Sequence, residues 1–596
     1  MTAETNEIDE LRDRARTWLD EDPDPASRAE LAGLLDALPG SRPELADRFG
    51  ATLSFGTAGL RGPLRAGPNG MNLAVVTRAA AGLVGWLAGR GATGPLVIGY
   101  DARHGSREFA ERTARVATGA GRPALLLPRP LPTPVLAYAV RALDGAAGVM
   151  VTASHNPPQD NGYKVYLGAE LGGSLGAGAQ IVPPVDAEIE TAIRGVGPLA
   201  EVALGDPGEV LPDEVVTGYV RRAAGVVAPD GPRELSVAYT PLHGVGGPVL
   251  AAAFAEAGFA APAVVAEQAE PDPEFPTVSF PNPEEPGATD LLVALAERTG
   301  ADIAIANDPD ADRCAVAIPV PGGAATGGTT DGGGTASGAA VGGTTDGGAA
   351  GRRWRMLRGD EVGALLADHL MRRGVRGLYA TTIVSSSLLR AMSAARDLPY
   401  DETLTGFKWI VRAGSAGSAG SAGATTPGRE PLVYGYEEAL GYCVAPELVR
   451  DKDGITAALL VAELAAGLRA EGRTLADRLD ELAAEFGVHQ TDQLSVRVDD
   501  LREIDAAMAR IRSATPATLL GEPVTAVEDL LPGADVLILR TAAARVVVRP
   551  SGTEPKLKAY LEVVAPVAGG DLPAARSRAV AAVADLRAEI AAALGV

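Results

Sequence analysis

The 596-residue chain has few cysteines, few aromatic residues and a deficit of positive charge. Its two cysteines, Cys314 and Cys443, are too few for a disulfide framework or a cysteine-based zinc site. Aromatic residues make up only 4%, so the hydrophobic cores must be built from alanine, valine and leucine. With 76 acidic residues against 53 basic ones the net charge is −23, which disfavours nucleic acid and anionic membranes as partners. An anionic ligand would therefore need local clusters of lysine and arginine.

The chain also lacks long uninterrupted apolar runs. Apolar stretches such as residues 248–266 are broken, here by Glu256 and Pro262, so we expect no membrane span. The N-terminal sequence MTAETNEIDELRDRARTWLD is acidic and amphipathic, unlike a signal peptide. These features predict a cytoplasmic protein with neither a membrane nor a nucleic acid as its partner.

What the sequence does contain is a repeated alternation of short apolar strands and amphipathic helices. GPLVIGYDAR, PALLLP and GVMVTAS predict buried strands, with helical patterns between them. Such alternation favours parallel sheets covered by helices. The alternation of strands and helices restarts near residues 235 and 359. In contrast, roughly the last hundred residues contain strands with few crossover helices. The predicted fold class is therefore α/β: three α/β domains with mixed, mostly parallel sheets, followed by a C-terminal α+β domain.

Two glycine-rich segments interrupt this order and help to place the domain boundaries. The first is rich in glycine, alanine and threonine and contains GGTTDGG twice; the second reads AGSAGSAGSAGA. Neither can bury enough apolar surface to offset its ordering entropy, so we predict flexible insertions at 321–351 and 413–424. The predicted domains I to IV are then residues 1–205, 206–320, 352–488 and 489–596.

A first candidate site is the sequence VMVTASHNPPQDNGYKVY. An apolar strand runs directly into Ser154, and α/β sheets bind ligands at the carboxyl ends of their strands. Ser154 is therefore a candidate nucleophile, although a serine at this place can also simply cap a turn. There is no G-x-S-x-G elbow around it, which argues against an α/β-hydrolase.

A second candidate site is the sequence AIANDPDADRCAV, in which Asp308, Asp310 and Asp312 follow an apolar strand at alternate positions. Three carboxylates this close repel one another unless a cation lies between them. Oxygen ligands favour Mg²⁺, Ca²⁺ or Mn²⁺ over zinc. An EF-hand loop starting at Asp308 is excluded, because Arg313 stands where that loop needs glycine and Pro319 where it needs glutamate.

A third candidate site, VVVRPSGTEPKLKAY, predicts an anion-binding turn at the end of another strand. A guanidinium, two hydroxyls and backbone amides around a glycine can cradle a phosphate; they belong to Arg549, Ser551, Gly552 and Thr553, with Lys556 and Lys558 close behind. The spacing of a Walker loop is absent. A basic turn is the plainer interpretation, but in a chain of charge −23 such a cluster is less easily dismissed.

Two weaker signals complete the set. LSFGTAGLRGPL places Thr57 and Arg61 among three glycines, which suits the close approach of an anion. TGFKWI offers Lys408 to a phosphate or a hydroxyl, and YGYEEALGY offers Glu437 and Glu438 to sugar hydroxyls. Either acid could equally well stabilise the N-terminus of a helix.

Together these segments resemble the α-D-phosphohexomutase superfamily of phosphoglucomutases and phosphomannomutases. TASHNPPQDNGYKVY, DPDADR and RPSGTEPK occur in the family's order, and the similarity runs from roughly residue 50 to the C-terminus. GYEEALGY resembles the sugar loop of the branch that holds phosphoglucomutase-2-like and phosphopentomutase enzymes. The resemblance implies that the four domains are arranged around a central cleft.

The resemblance also implies a role for each matching residue. Ser154 would carry the phosphoryl group, beside the catalytic residues His155, Arg61 and Lys164, with Lys164 as general acid/base. One Mg²⁺ per chain would be bound by Ser154, Asp308, Asp310 and Asp312. The substrate-binding residues would be Thr57, Arg61, Arg313, Lys408, Glu437, Glu438, Arg549, Ser551, Gly552, Thr553 and Lys558.

The activity implied is interconversion of glucose 1-phosphate and glucose 6-phosphate by a monomer or weak dimer. A phosphoserine enzyme and glucose 1,6-bisphosphate, which also acts as activator, would be the intermediates. Mannose or pentose phosphates are alternative substrates, since Ala439 and Tyr442 replace a serine and a histidine found in many hexose and mannose enzymes. From other classes, the alternatives are a metal-dependent phosphatase and a catalytically silent sugar-phosphate-binding protein.

Overall fold

The computed structural model describes residues 3–54, 59–320, 353–414, 430–498, 500–551 and 555–596. The chain divides into two compact units. Unit 1 comprises residues 1–315 and 441–460, and unit 2 comprises residues 316–440 and 461–596. The predicted flexible insertion 321–351 and all but the first two residues of the insertion 413–424 lie outside the described residues.

Unit 1 begins with three helices that the sequence analysis did not separate from the first domain: α1 (Ala3–Glu21), α2 (Pro25–Asp36) and α3 (Arg42–Gly50). Their apolar faces pack on one another around Leu31, Leu45 and Phe49, each at most 2% exposed. Asp24 begins α2 by accepting hydrogen bonds from the amides of Ala26 and Ser27.

The next part of unit 1 is a seven-stranded mixed sheet with the strand order β1-β5-β4-β2-β3-β7, to which β6 adds beside β5. Strands β2, β3, β4 and β7 are parallel, whereas β5 runs antiparallel to both β4 and β1. The strands are β1 (Leu60–Pro63), β2 (Leu96–Tyr100), β3 (Ala124–Leu126), β4 (Ala147–Val151), β5 (Asp160–Leu167), β6 (Ala179–Gln180) and β7 (Glu209–Val210). The helices are α4 (Leu73–Gly89), α5 (Ser106–Gly119), α6 (Thr133–Ala142), α7 (Ala169–Gly176) and α8 (Val185–Arg194).

A second, parallel sheet in unit 1 contains β8 (Val237–Thr240), β9 (Ala263–Val264) and β10 (Ile303–Ala306). Its helices are α9 (Glu214–Ala224), α10 (Gly246–Glu256) and α11 (Asp290–Thr299). Every residue of β8 and β10 is buried, as expected for strands that helices cover. The chain passes into unit 2 at the start of β11 (Ala315–Val320), which pairs antiparallel with β12 (Arg353–Met356).

Unit 2 continues with a parallel sheet in which β13 (Leu378–Thr382) lies between β14 (Tyr400–Thr403) and β15 (Leu432–Glu437). Helices α12 (Gly359–Arg372), α13 (Leu388–Ala395) and α14 (Phe407–Ile410) belong to this part. The chain then re-enters unit 1 with β16 (Gly441–Cys443), returns to unit 2 within α15 (Gly454–Ala470), and continues into α16 (Leu475–Phe486).

The C-terminal part of unit 2 is an antiparallel sheet with the strand order β17-β23-β22-β21-β20. Its strands are β17 (Val488–Arg497), β20 (Ala526–Asp529), β21 (Leu537–Arg540), β22 (Ala544–Pro550) and β23 (Lys556–Ala565), and a small hairpin is formed by β18 (Thr518–Leu519) and β19 (Glu522–Pro523). Helices α17 (Leu501–Ser513) and α18 (Leu572–Leu594) pack on one face of the sheet. The predicted fold class, three α/β domains and a C-terminal α+β domain, is confirmed.

Among the helices of the described residues, none combines the length and the apolar character that crossing a bilayer requires.

Candidate active site

Ser154 lies in a tightly held turn just after β4. Its φ of 52° falls in the left-handed region, which residues other than glycine rarely adopt, and such conformations concentrate at functional sites. The turn is held by the Ser154 amide, which donates to Oγ1 of Thr152 at 2.8 Å, and by Arg103, which donates to the Ser154 carbonyl at 2.6 Å. Arg103 is 4% exposed and also donates to the carbonyl of Pro157 at 2.8 Å. The serine hydroxyl is thus presented from a fixed backbone.

The three aspartates of the second motif lie in the loop after β10 and are at most 1% exposed. Each of Asp308, Asp310 and Asp312 can offer one oxygen such that the three oxygens lie within 4.8 Å of one another. Ala311, with a φ of 52°, turns the backbone inside this loop. The loop also packs directly against Gly454. A Cβ at that position would lie 2.2 Å from the Arg313 carbonyl oxygen, so the contact requires glycine.

The serine turn and the carboxylate loop meet, although 153 residues separate them in the sequence. The Ser154 hydroxyl donates to Oδ2 of Asp308 at 2.8 Å. The Thr133 hydroxyl donates to Oδ2 of Asp310 at 2.7 Å, and the Thr133 amide donates to the Asp310 carbonyl at 2.9 Å. One hydroxyl and three carboxylates therefore share one buried site within unit 1.

Cationic side chains surround the carboxylates. Nζ of Lys164 lies 2.8 Å from Oδ2 of Asp310 and 3.2 Å from Oδ2 of Asp312, and Nζ of Lys452 lies 3.2 Å from that same Asp312 oxygen. Lys164 reaches the loop from β5, where it pairs with Met150 on β4. Arg313 brings its Nε to 3.9 Å from Oδ2 of Asp308.

The pKa values of Asp308 and Asp312 shift in opposite directions. Burial, together with repulsion from Asp310 and Asp312, raises the pKa of Asp308 well above its ordinary value. Burial acts in the same direction on Asp312, but Lys452, Lys164 and Arg313 outweigh it and lower the pKa of that residue. A further positive charge near Asp308 would therefore stabilise its ionised form.

The donor set fits a hard divalent cation. Oδ1 of Asp310 and Oδ1 of Asp312 are buried and have no hydrogen-bond partner among the described residues. Buried carboxylate oxygens without a partner are costly, and a cation would satisfy both. All the candidate ligands are oxygens, the type that Mg²⁺ prefers. The buried acidic triad therefore fits a magnesium site.

His155 and Arg61, two further predicted residues, also lie at the serine turn. Nδ1 of His155 lies 3.1 Å from the Ser154 hydroxyl oxygen. Burial and the positive charges of Arg313 and Arg61 lower the pKa of His155 well below its ordinary value. Arg61 lies on β1 and donates to the side-chain oxygen of Asn156 at 3.0 Å.

Sequence reasoning missed three residues of this site: Lys452, Thr133 and Arg103. A signal existed for Lys452, because the polar run RDKDG stands immediately before an apolar helix. Asp451, Lys452 and Asp453 of this run are buried, and the side chain of Asp451 accepts a hydrogen bond from the Tyr166 hydroxyl at 2.8 Å. Arg103 and Thr133 carry no comparable signal, since Arg103 stands in an ordinary strand-to-helix connection and Thr133 begins α6.

The other predicted site residues that the structure describes lie in unit 2. Lys408 is 4% exposed on α14, and its Nζ lies 5.7 Å from the ring centre of Trp409. Glu437 ends β15, and the carboxylate of the neighbouring Glu438 accepts hydrogen bonds from Ser385 at 3.1 Å and Thr382 at 3.2 Å.

The predicted phosphate-binding turn joins β22 and β23 in unit 2. Arg549 and Lys558 are direct partners in the register of the two strands, which places two positive charges side by side. The Ser551 amide donates to the Lys556 carbonyl at 2.8 Å. Three predicted site residues, Thr57, Gly552 and Thr553, lie outside the described residues.

Comparison with protein-family models decides the relationship. Four models described as phosphoglucomutase/phosphomannomutase, for α/β/α domains I, II and III and for the C-terminal domain, match residues 52–197, 217–322, 358–486 and 494–575. The chain belongs to the phosphoglucomutase/phosphomannomutase family. The predicted superfamily, the α-D-phosphohexomutases, is thereby confirmed, and the protein is a phosphomutase, an isomerase of the intramolecular phosphotransferase class.

Curated members of the phosphoglucomutase/phosphomannomutase family resemble the chain over most of its length. A protein named "Probable phosphomannomutase" from Haemophilus influenzae is 42% identical over 83% of this chain and 93% of its own. A phosphopentomutase from Mus musculus is 32% identical over 93% of this chain and 90% of its own. A phosphoglucomutase from Staphylococcus haemolyticus is 32% identical over 86% of this chain and 91% of its own. The relatives therefore differ in the sugar that their names imply.

Solved structures of the family share the fold. The open form of parafusin, a phosphoglucomutase from Paramecium, superposes with a TM-score of 0.64 at 16% identity, covering 92% of this chain and 97% of that one.

Proposed function

We propose that the chain interconverts glucose 1-phosphate and glucose 6-phosphate through a phosphorylated Ser154. The observation that carries this proposal is the 2.8 Å hydrogen bond from the Ser154 hydroxyl to Asp308. It lies inside a buried triad in which two carboxylate oxygens have no hydrogen-bond partner in the part of the chain that the structure describes. A nucleophilic hydroxyl beside a site for a divalent cation suits phosphoryl transfer, which depends mainly on positioning and on neutralising charge.

In the first half-reaction the 6-hydroxyl oxygen of glucose 1-phosphate attacks the phosphorus of phospho-Ser154. The Ser154 Oγ–phosphorus bond breaks, glucose 1,6-bisphosphate forms, and the proton that the sugar hydroxyl loses is balanced by one that the released Ser154 oxygen gains. We assign this relay to Lys164 as general acid/base: its ammonium group donates a proton to the serine oxygen and recovers one from the sugar hydroxyl. His155, whose Nδ1 lies 3.1 Å from the serine oxygen, orients that oxygen. In the second half-reaction Ser154 takes the 1-phosphoryl group, which leaves glucose 6-phosphate and restores the phosphoserine.

The charge of the phosphoserine explains why the carboxylate loop needs a metal. A phosphoserine carries about −1.5 to −2 charges at neutral pH, and it would form beside Asp308, Asp310 and Asp312. When bound, a divalent cation such as Mg²⁺ would neutralise this charge and polarise the oxygens of the transferring group. Asp308, Asp310, Asp312 and the phosphorylated Ser154 would hold one ion per chain.

The residues of unit 2 are proposed to recognise the substrate. Arg549 and Lys558 would bind the phosphate that is not reacting, together with Ser551, Gly552 and Thr553. Lys408 and Glu437 would bind sugar hydroxyls. In unit 1, Thr57 and Arg313 would contact the reacting phosphate. A phosphosugar is then the protein's ligand, with glucose 1,6-bisphosphate as activator.

A second candidate substrate is mannose 1-phosphate, which the 42% identity to the Haemophilus influenzae protein favours. A third is a pentose 1-phosphate, favoured by the phosphopentomutase from Mus musculus. Both would use the same phosphoserine chemistry.

A coupled assay on the 1-phosphates of glucose, mannose and ribose, each with a trace of the matching bisphosphate, tests the proposal. We expect the highest kcat/KM on glucose 1-phosphate. A higher value on mannose or ribose 1-phosphate would overturn the substrate. Release of inorganic phosphate without isomer formation would overturn the mutase and indicate a phosphatase.

A further inference from the structure

A buried turn of three serines joins the proposed sugar-binding loop to the C-terminal sheet within unit 2. The turn, Ser385–Ser387, connects β13 to α13. On one side it holds Glu438: Oγ of Ser385 lies 3.1 Å from the Glu438 carboxylate and accepts a hydrogen bond from the Glu438 amide at 3.2 Å. Thr382, just before the turn, donates to the same carboxylate oxygen at 3.2 Å. The turn thus fixes both the backbone and the side chain of Glu438.

On the other side the turn is held by two residues of the C-terminal sheet. Arg545 on β22 donates to the Ser385 carbonyl. Glu562 on β23 accepts from the Ser386 hydroxyl at 2.7 Å and from the Ser387 amide at 2.8 Å. Arg545 and Glu562 are direct partners in the β-sheet register and form an ion pair at 3.1 Å.

Burial makes these contacts specific. Ser385, Ser386, Arg545 and Glu562 are all at most 6% exposed. A buried ion pair gains little net stability over an apolar pair of the same size, but it tolerates few alternative geometries. Apolar side chains of the turn and the sheet, among them Val384, Val547 and Tyr560, pack around it. The turn is therefore a tightly packed contact and not a loose connection.

The same face of the sheet carries the predicted phosphate-binding residues. Arg545, Val547 and Arg549 alternate along β22, and Glu562, Tyr560 and Lys558 are their respective partners on β23. The Arg545–Glu562 ion pair, which contacts the serine turn, and the Arg549–Lys558 pair, which is proposed to bind phosphate, thus lie at the two ends of one short row. Tyr560 stands between them as the partner of Val547.

We propose that the Ser385–Ser387 turn is a joint through which Arg545 and Glu562 position the Glu437–Glu438 loop relative to the Arg549–Lys558 pair. Arg545 and Glu562 are then positioning residues for substrate, which they do not touch. In this conformation the joint sets the distance between the groups that bind the sugar and those that bind its distal phosphate. This inference rests on the proposed function, since it takes both loops as parts of the substrate site.

The test uses two conservative variants and a matched control. Ser385→Ala removes the hydroxyl that reaches Glu438, and Glu562→Gln removes the charge that holds Ser386 and Ser387. The control is Ser393→Ala on α13, because the buried Ser393 hydroxyl has no hydrogen-bond partner among the described residues. Michaelis constants, turnover and Mg²⁺ affinity are measured for each, together with amide hydrogen exchange in the segment 434–440.

We expect Ser385→Ala and Glu562→Gln each to raise KM by about 5- to 20-fold, with a smaller effect on kcat and on Mg²⁺ affinity. Exchange in the segment 434–440 should accelerate at least about threefold, whereas Ser393→Ala should change neither quantity. The double variant Glu562→Gln/Glu438→Gln should raise KM no more than its stronger single variant does, because both act through one chain of contacts.

A lower melting temperature with unchanged exchange in the segment 434–440 would overturn the joint and leave the network a purely structural one. Independent, multiplying effects on KM in the double variant would overturn it as well. Hydrogen exchange requires no substrate, so it tests the joint even where the sugar is misassigned. A wrong assignment of substrate or reaction would instead show in the kinetics of the unaltered protein.

Discussion

Each unit of the molecule contains a cluster of buried carboxylates, and the two clusters are completed in different ways. In unit 2, both carboxylate oxygens of Glu562 have partners: Arg545 lies 3.1 Å from Oε2, and Oε1 accepts a hydrogen bond from the Ser386 hydroxyl at 2.7 Å. In unit 1, Asp310 and Asp312 receive lysines at 2.8 and 3.2 Å on one oxygen each, and their other oxygens have no hydrogen-bond partner among the described residues.

The difference indicates what each cluster is for. A planar guanidinium donates in a fixed fork, so arginine pairs lock two strands or a strand and a turn into one geometry. An ammonium is a point charge, and the carboxylate oxygens that it leaves unpaired remain available to a cation. The cluster of unit 2 is therefore built to position neighbouring loops, and the cluster of unit 1 to bind a metal and a phosphoryl group.

The largest effect expected to test this comparison comes from Ser154→Ala. Without the hydroxyl no phosphoserine can form, so mutase turnover should fall by at least about 10³-fold on every phosphosugar that the protein accepts. Intact-protein mass spectrometry after incubation with glucose 1,6-bisphosphate should show one added phosphoryl group on the unaltered protein and none on the variant.

The control for this prediction is Ser393→Ala, which removes a buried serine hydroxyl of unit 2 and should retain full turnover. Mutase activity that survives in Ser154→Ala would disprove the assigned nucleophile. The difference in turnover between Ser154→Ala and Ser393→Ala then reports the catalytic role of the Ser154 hydroxyl and not the general effect of removing a buried hydroxyl.

A smaller but still large effect is expected from Asp310→Asn on metal binding. Replacing one carboxylate of the triad by an amide should weaken Mg²⁺ binding by at least about tenfold in isothermal titration, because a formal charge and a preferred ligand are lost. The matched control is Asp302→Asn, at the opposite end of β10, where the carboxylate accepts a hydrogen bond from the Ser236 amide at 2.8 Å and lies outside the triad.

Asp302→Asn should leave Mg²⁺ affinity unchanged within experimental error. For Asp310→Asn the loss of metal affinity should exceed the loss of stability, since the substitution also relieves repulsion among three buried carboxylates. A variant that fails to fold, with the control intact, would show that the loop is structural.

Local motifs made unit 1 the more predictable of the two units. Ser154 and the aspartates from Asp308 to Asp312 stand at the ends of apolar strands, where the sheet topology alone brings ligands together. The structure places the Ser154 hydroxyl within hydrogen-bond distance of Asp308. The strands and helices could also be predicted, because the buried strands are continuous apolar runs and the helices between them are amphipathic.

The joint in unit 2 could not be predicted, for a physical reason. Arg545 and Glu562 are ordinary charged residues within β-strands, and their contact with the serine turn joins segments 160 residues apart, which no local pattern reveals. Lys452 was missed in a similar way, since its role depends on a contact with Asp312, 140 residues away. Long-range packing therefore accounts for the residues that escaped prediction.

The smallest expected effect is a pH dependence of the free energy of unfolding that comes from the buried Asp360 in unit 2. Burial raises the pKa of Asp360 from 3.8 to about 7; the Ser386 amide opposes this shift, and the charges of Glu438 and Glu562 add to it. The Tyr436 hydroxyl donates to the carboxylate at 3.0 Å, and Arg545 is the nearby cation. Because the folded state binds this proton more tightly than the unfolded state, the free energy of unfolding should fall as the pH rises from about 4 through about 7.

Asp360→Asn keeps an oxygen that can accept from Ser386 and Tyr436 but has no proton to lose. Its stability should therefore decline less between pH 5 and pH 8 than that of the unaltered protein, by an amount on the order of 1.4 kcal/mol for each unit of pKa shift within that interval. Urea denaturation of both proteins at the two pH values measures the difference. Parallel stability curves would show that Asp360 is ionised throughout, and that the arginine of the joint compensates its charge as fully as it does that of Glu562.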